Sequence, residues 1–414
     1  MIQTKYLIIG GGVAGTTAAE TIRQNDSEGR IIIVSDEPYR FYSRIMLSKP
    51  NWFLGKIPFE KIYLKTPEFY AENKIELLTG KKAIKVFARE KTVALEDGET
   101  IIYEKLLLAI GGCARLLAAP GADKKGVYPV RTLDDGKNII GAVKTAKQAV
   151  CVGGGFVSFE MADMLKQAGL EVTVLLREPY YWANLLDEEA GAMIEEVMTK
   201  AGTRIFKNEE VLEVLGGESV EAILTKSGKN IPCQIVIAGI GLFCPVDGLR
   251  LEGVETKRGI ITDEYLETSA KDVWAAGDAA EFQDVILEER PQVGTWANAQ
   301  AQGRTAGLSM TGKKTKFELL SSYATSGFGL KIAFIGDARP SPDKEIIKRG
   351  SKQGGALGRL FLRNNKLIGG ILFNRTDELA PLSKLIVSKA DLSQNKNNLA
   401  DPNFDLKQLL ESGK

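Results

Sequence analysis

Tyr6-LIIGGGVAGTTAAET-Ile22 is the stretch whose reading decides the fold. Tyr6 to Ile9 reads as a short buried strand, and the residues from Val13 to Ile22 read as a helix. Between them Gly10, Gly12 and Gly15 stand at G-x-G-x-x-G spacing. In such a turn the first glycine allows a sharp bend, and the second lets a pyrophosphate approach without meeting a Cβ. The third lets helix and strand pack closely. The free N–H groups and the positive end of the helix dipole attract the anion. An acid after the next strand should hold a ribose. Arg30-IIIVSD-Glu37 supplies Asp36, followed by Glu37, about twenty residues past the last glycine. A glycine triplet alone is weak evidence. Strand, glycines, helix, strand and acid in that order predict a dinucleotide site.

A second copy of the pattern follows. Ala149-VCVGGGFVSFEMADMLKQA-Gly169 reads as strand, glycine turn and helix, and Leu170-EVTVLLR-Glu178 as the next strand. Gly153 and Gly155 hold the first two positions, while Ser158 takes the third and is still small. Two such turns in one chain predict two nucleotides. NADH versus NADPH stays open. By the family resemblance set out below, Leu176 stands where NADH-preferring relatives carry a ribose-binding acid and Arg177 where NADPH-preferring ones carry a phosphate-binding arginine, while Glu178 repels a phosphate.

The 414 residues are too many for one ordinary core, so several domains are expected. With 44% apolar and 26% charged residues the balance is that of a soluble globular protein. A net charge of +1 gives no reason to invoke nucleic acid or an anionic membrane. No apolar run reaches the roughly 20 residues of a membrane span, and the chain opens directly on a strand, so the expected location is cytoplasmic. The sequence has no histidine, which removes imidazole as acid, base or metal ligand. Cys113, Cys151, Cys233 and Cys244 show no C-x-x-C spacing, so neither a redox dithiol nor a protein-ligated iron–sulfur cluster is expected, nor any metal site.

Further along, residues 82–95 and 100–103 alternate as antiparallel strands, and Lys105 to Arg115 reads as a separate buried strand. Residues 121–136 read as a linker and 187–202 as an amphipathic helix. Residues 294–312 read as a long helix packed through alanine and glycine. From about 315 short strands follow, closed by a helix near 377–390. The tail from Phe404 to Leu410 reads as a loosely docked terminus, with an anchoring or partner-docking helix as the alternative.

Four blocks together resemble the pyridine-nucleotide/FAD oxidoreductases over essentially the whole chain. They are the Gly10–Gly15 turn with Asp36, Ala109-IGGCA-Arg115, Gly153-GGFVSF-Glu160 and Thr268-SAKDVWAAGDAAE-Phe282. Tyr39-RFYSRIMLSK-Pro50 and Trp296-ANAQAQGRTA-Gly307 resemble the rubredoxin and ferredoxin reductases and the flavin half of nitrite reductases. Disulfide reductases of that family carry cysteines where this chain has Ser43 to Lys49. The resemblance implies an α/β fold, with two Rossmann-like domains for FAD and NAD(P)H and a small α+β interface domain. The expected boundaries are 1–117 with 243–314 for FAD, 118–242 for NAD(P)H and 315–414 for the interface domain.

It also implies the cofactor-binding positions. Toward FAD these are Gly10, Gly12, Gly15, Asp36, Glu37, Arg44, Lys49, Ala109, Gly111, Arg115, Gly277, Asp278 and Trp296. Toward NAD(P)H they are Gly153, Gly155, Phe156, Val157, Glu160, Arg177 and Gly241. Lys49, near flavin N5 in the related reductases and paired with Glu160, forms the expected catalytic pair. The implied activity is electron exchange between NAD(P)H and a one-electron carrier: rubredoxin, ferredoxin or an iron–sulfur subunit. A homodimer and a subunit of a larger complex both fit. An oxygen-using NAD(P)H oxidase and a redox-sensing interaction module are the alternatives.

Overall fold

The computed structural model describes residues 2–411. Residues 1 and 412–414, the ends of the expected first and last segments, lie outside the described residues. The chain forms two compact units: Met1–Ser43, Glu60–Cys113 and Leu242–Ser321 make one, and Arg44–Phe59, Ala114–Gly241 and Ser322–Lys414 the other.

The first unit is built on an eight-stranded sheet. Ile2–Ile9 lies at its centre, parallel to Ile31–Ser35 on one side and to Thr100–Leu108 on the other. Leu7, Ile8, Ile32 and Ile33 have no exposed surface, as expected of central strands covered on both faces. Thr100–Leu108 is one continuous strand where the sequence suggested two. Glu104 and Lys105 break its apolar run, and the Lys105 ammonium finds the carbonyl of Met310 at 2.5 Å. Helix Val13–Asn25 packs on the sheet and against helix Trp296–Met310. The second contact is backbone-close, since a Cβ at Gly303 would lie 2.3 Å from the Ala14 carbonyl oxygen.

The second unit holds a five-stranded parallel sheet in the order Arg204–Phe206, Glu171–Leu175, Gln148–Val152, Ile235–Ala238, Val127–Tyr128. Helix Phe156–Gln167 follows its central strand. The segment read as a linker contains the strand Val127–Tyr128 and the start of helix Leu133–Val143. A capping box starts that helix: Thr132 accepts the Asp135 N–H, and the Asp135 carboxylate accepts the Thr132 N–H at 2.7 Å. Pro129 and the nearby glycines masked that signal.

The same unit carries a five-stranded antiparallel sheet, ordered Ser322–Gly327, Leu330–Gly336, Lys366–Phe373, Ala356–Arg363, Glu345–Ser351. Helix Leu379–Ser388 packs against it. The tail is firmly docked, not loose. Arg349, 1% exposed, donates to the carbonyls of Leu399 and Phe404 at 3.2 and 2.7 Å while paired with Glu378. Leu399, Leu406 and Leu409 are buried with it. Sequence periodicity could not show this, because the fixing contact is a remote guanidinium aimed at main-chain oxygens. Among the described residues no helix is long and apolar enough to cross a membrane, and no cluster of metal-ligating side chains occurs.

Candidate active site

In the first unit the glycine turn is shaped as the spacing requires. Gly10 has φ +114°, and a Cβ there would lie 2.1 Å from the Ala109 carbonyl oxygen. A Cβ at Gly15 would lie 1.9 Å from the Gly10 carbonyl oxygen. Gly12 differs: nothing stands within 4 Å of the space its side chain would occupy. It is the N-cap of helix Val13–Asn25, with extended backbone and no side chain satisfying the first N–H groups. An open space facing free donors fits a pyrophosphate.

Other expected residues converge on the same unit. Asp36 is exposed just past Ile31–Ser35, and Glu37 accepts the Tyr42 hydroxyl at 2.6 Å. Gly111 (φ +66°) follows Ala109 at the end of Thr100–Leu108. The Asp278 carboxyl carbon lies 3.2 Å from a Cβ placed on Gly294, and one carboxyl oxygen lies 3.8 Å from one on Gly112. Trp296 begins its helix stacked on Phe41, ring centres 5.7 Å apart. Gln302, which the sequence reading missed, accepts the Gly277 N–H at 2.7 Å, and its own Nε2 is buried with no partner among the described residues. A buried amide with an unmet donor beside the Gly277–Asp278 turn fits an acceptor-rich ligand such as FAD.

The second unit repeats the turn. Gly153 has φ +110°, and its Cβ would lie 2.6 Å from the Gly239 carbonyl oxygen. Gly155 caps helix Phe156–Gln167 without any side-chain cap. Ser158 is accommodated by a compensating change. Ala109 in the first unit corresponds here to Gly239, where a Cβ would lie 2.2 Å from Ser158 Oγ. Phe156 is 41% exposed, Val157 half-buried, and Gly241 (φ +103°) accepts the Arg115 N–H at 2.9 Å.

The first-glycine N–H bonds to Val34 O in one turn and to Leu175 O in the other, at 2.8 and 2.9 Å. Leu176 therefore matches Ser35, Arg177 matches Asp36, and Glu178 matches Glu37. Leu176 is wholly buried, with Cδ2 3.1 Å from a Cβ on Gly154, so it is a packing residue. The acid near the turn is Glu178, whose Oε2 lies 3.9 Å from that Cβ. Arg177 is 76% exposed and donates to Glu178 Oε1 at 2.8 Å.

Tyr181 and Trp182 also escaped the sequence reading, because aromatic pairs read as ordinary core. The Tyr181 hydroxyl donates to Gly155 O at 3.1 Å, and the Tyr181 N–H donates to Glu195 Oε1 at 2.9 Å. Trp182 is 6% exposed at φ +58°, a strained conformation for a bulky residue that costs of order 1–3 kcal/mol.

Within this unit Lys49 and Glu160 meet, Nζ to Oε1 at 2.6 Å. Glu160, on the first turns of its helix and 8% exposed, also accepts the hydroxyls of Ser48 and Thr325. Three donors on a buried carboxylate leave it little freedom to move. Thr325 gave no sequence signal, since it lies in a strand remote in the chain. One helical turn on, Asp163 is pushed above the usual carboxylate range by burial, with Glu160 adding to it. Arg44 donates to the Arg131 carbonyl oxygen at 2.7 Å. Cys151 and Cys233 are buried, and burial pushes both thiols up to about 12.

These features define a two-dinucleotide flavoprotein. A model of the pyridine nucleotide-disulphide oxidoreductase family matches residues 4–303, and a reductase C-terminal model matches residues 325–410. The chain belongs to this family, and it is an oxidoreductase that uses FAD and NAD(P)H. It is 31% identical to the NAD(P)H nitrite reductase of Bacillus subtilis over 95% of its own length, spanning 48%, about half, of that relative. It is 30% identical to the NADH-dependent phenylglyoxylate dehydrogenase subunit epsilon of Aromatoleum evansii, covering 94% of this chain and 93% of the relative. A ferredoxin reductase from Rhodopseudomonas palustris has a similar structure, with TM-score 0.88 at 27% identity over 98% of this chain and 99% of that one.

Proposed function

We propose that the chain is an NADH-dependent reductase that passes electrons through FAD to a ferredoxin-like or rubredoxin-like iron–sulfur carrier. The observation that supports this best is the pair of open glycine cradles, each with its own acid, in a chain that has no cysteine from Ser43 to Lys49. FAD supplies the exchange between a two-electron donor and one-electron acceptors. NADH loses a hydride, two carriers gain one electron each, and one proton leaves to solvent.

In this reading residues 1–117 and 243–314 hold FAD. The N–H groups beyond Gly12 bind its pyrophosphate, Asp36 or Glu37 its adenosine ribose, and Asp278 its ribityl region. Residues 118–242 hold the nicotinamide nucleotide, and 315–414 form an interface domain. Glu178 accepts hydrogen bonds from the adenosine 2′- and 3′-hydroxyls and repels a 2′-phosphate, which selects NADH. Arg177 does not offset this, being turned to solvent and paired with Glu178. Lys49, held by Glu160, supplies the positive charge that favours an anionic reduced flavin. The chain acts in the cytoplasm, alone or as a subunit beside its carrier; the nitrite reductase and the phenylglyoxylate dehydrogenase subunit point toward the second arrangement.

The test is anaerobic stopped-flow spectroscopy on the purified flavoprotein. NADH should bleach the flavin in milliseconds to seconds, NADPH much more slowly, and oxidised ferredoxin or rubredoxin should restore the colour. Rapid turnover with oxygen and none with either carrier would identify an oxidase instead. A bleached state that persists in the presence of every carrier would identify a sensor.

A further inference from the structure

We propose that the indole N–H of Trp182 is a side-chain donor to the pyrophosphate of the nicotinamide dinucleotide at the second cradle. This rests on the reading that the cradle from Gly153 to Gly155 holds that nucleotide, and it adds a binding residue which the glycine pattern does not contain.

Trp182 Nε1 lies 3.9 Å from the position a Cβ at Gly155 would take, and the carbonyl oxygen of Gly239 lies 3.8 Å from the same point. That point is the space the glycine keeps clear, at the N-terminus of a 12-residue helix with no capping side chain. A phosphate oxygen lying beyond that point, on its indole side, comes within hydrogen-bond reach of the indole nitrogen. The side chain is 94% buried by its 6% exposure, while Nε1 is not among the fully enclosed donors and makes no hydrogen bond among the described residues. An indole so largely buried ordinarily finds a partner for its N–H, and the accessible edge of this one borders the mouth of the cradle.

Its placement is enforced. The Tyr181 main-chain and phenol donors pin the preceding residue to Glu195 and Gly155, and the indole packs on Phe156 and Phe334 with ring centres 6.2 and 5.4 Å away. Those contacts hold Trp182 at φ +58°, and strain of this kind gathers where a side chain must be aimed. The charge pattern agrees. No lysine or arginine occurs from Pro179 to Asp187 or in the first helical turn from Phe156 to Phe159, so these two segments offer an anion only neutral N–H donors.

The test uses the FAD-loaded full chain with 15N-indole tryptophan, titrated with ADP-ribose, which keeps the pyrophosphate and lacks the nicotinamide. Of the four tryptophan signals, that of Trp182 should move downfield on saturation. Trp182→Phe assigns it; should that variant not fold, Trp52→Phe, Trp274→Phe and Trp296→Phe assign it by elimination. In calorimetry Trp182→Phe should weaken ADP-ribose and NAD+ about tenfold, the scale of a hydrogen bond to a charged acceptor. Adenosine, which has no phosphate, should bind both proteins alike. An unmoved indole signal, or undiminished ADP-ribose affinity in a folded Trp182→Phe, overturns the proposal and leaves the cradle assignment standing. ADP-ribose binding that survives Gly155→Val overturns the cradle assignment itself, and this proposal with it.

Discussion

At the scale of single residues, Glu160 shows how much geometry a motif leaves unsaid. The family resemblance supplies both the acid and Lys49, but the hydroxyls of Ser48 and Thr325 complete the carboxylate's shell. Lys49→Met should leave FAD bound and slow flavin reduction by NADH about tenfold, or shift the flavin potential downward; stopped-flow and a spectroscopic redox titration check this. Unchanged rate and potential would remove Lys49 from the chemistry. Glu178 gives a second prediction. Replacing it by alanine frees Arg177 from its 2.8 Å partner and removes a negative charge beside the cradle. The NADH to NADPH preference in kcat/KM should fall by about tenfold or more, the scale set by one hydrogen bond to a charged group. A preference that does not move would place the ribose elsewhere. The sequence put the acid question at Leu176. The two main-chain bonds to the first glycines set Leu176 opposite Ser35 and Arg177 opposite Asp36, and the acid nearest the turn is Glu178, opposite Glu37.

At the scale of elements, glycine and alanine in the helix Trp296–Met310 were legible as a close-packing signature, and the structure gives the reason. Gly303 and Gly307 face helix Val13–Asn25, where Cβ atoms would lie 2.3 Å from the Ala14 oxygen and 2.9 Å from the Ala18 oxygen. Gly303→Ala therefore pushes on the helix whose N-terminus forms the first cradle. It should cost about 1–3 kcal/mol of stability and loosen FAD in the same protein. Thermal unfolding and flavin release on dilution measure the two; a mutant matching the parent in both would show that the helices part without consequence. Elements defined by their own periodicity were read well from sequence. Those defined by remote partners were not: the short strand at Val127 exists because Ile235–Ala238 offers it a neighbour, and the tail is held by Arg349.

For the whole molecule, the legible part was the repetition. Two strand–glycine–helix patterns foretold two cradles. The hidden part was what equips each cradle beyond its glycines: Gln302 in one, and Tyr181 and Trp182 in the other. Side chains that come from distant loops leave no periodic trace. Because each cradle is built within its own unit, the two should fail separately. Gly12→Val should yield a colourless protein that still binds ADP-ribose, since a valine side chain fills the open space beside the helix terminus. A yellow Gly12→Val protein, or one that has lost ADP-ribose binding along with its colour, would contradict separable cradles.

The exchange of bulk between Ser158 and Gly239 has a historical corollary. The first cradle keeps its methyl on the strand at Ala109 and none on the helix at Gly15; the second keeps its hydroxymethyl on the helix and none on the strand. With 2.2 Å left between Ser158 Oγ and an added Cβ, the two bulky states exclude each other. Any lineage passing from one arrangement to the other must lose bulk at one position before it gains any at the other. Retracing that route is a double-mutant cycle: Gly239→Ala alone should destabilise the unit, and Gly239→Ala with Ser158→Gly should recover most of the loss. Additive penalties would mean that the neighbours yield independently and that ancestry was free to take either road.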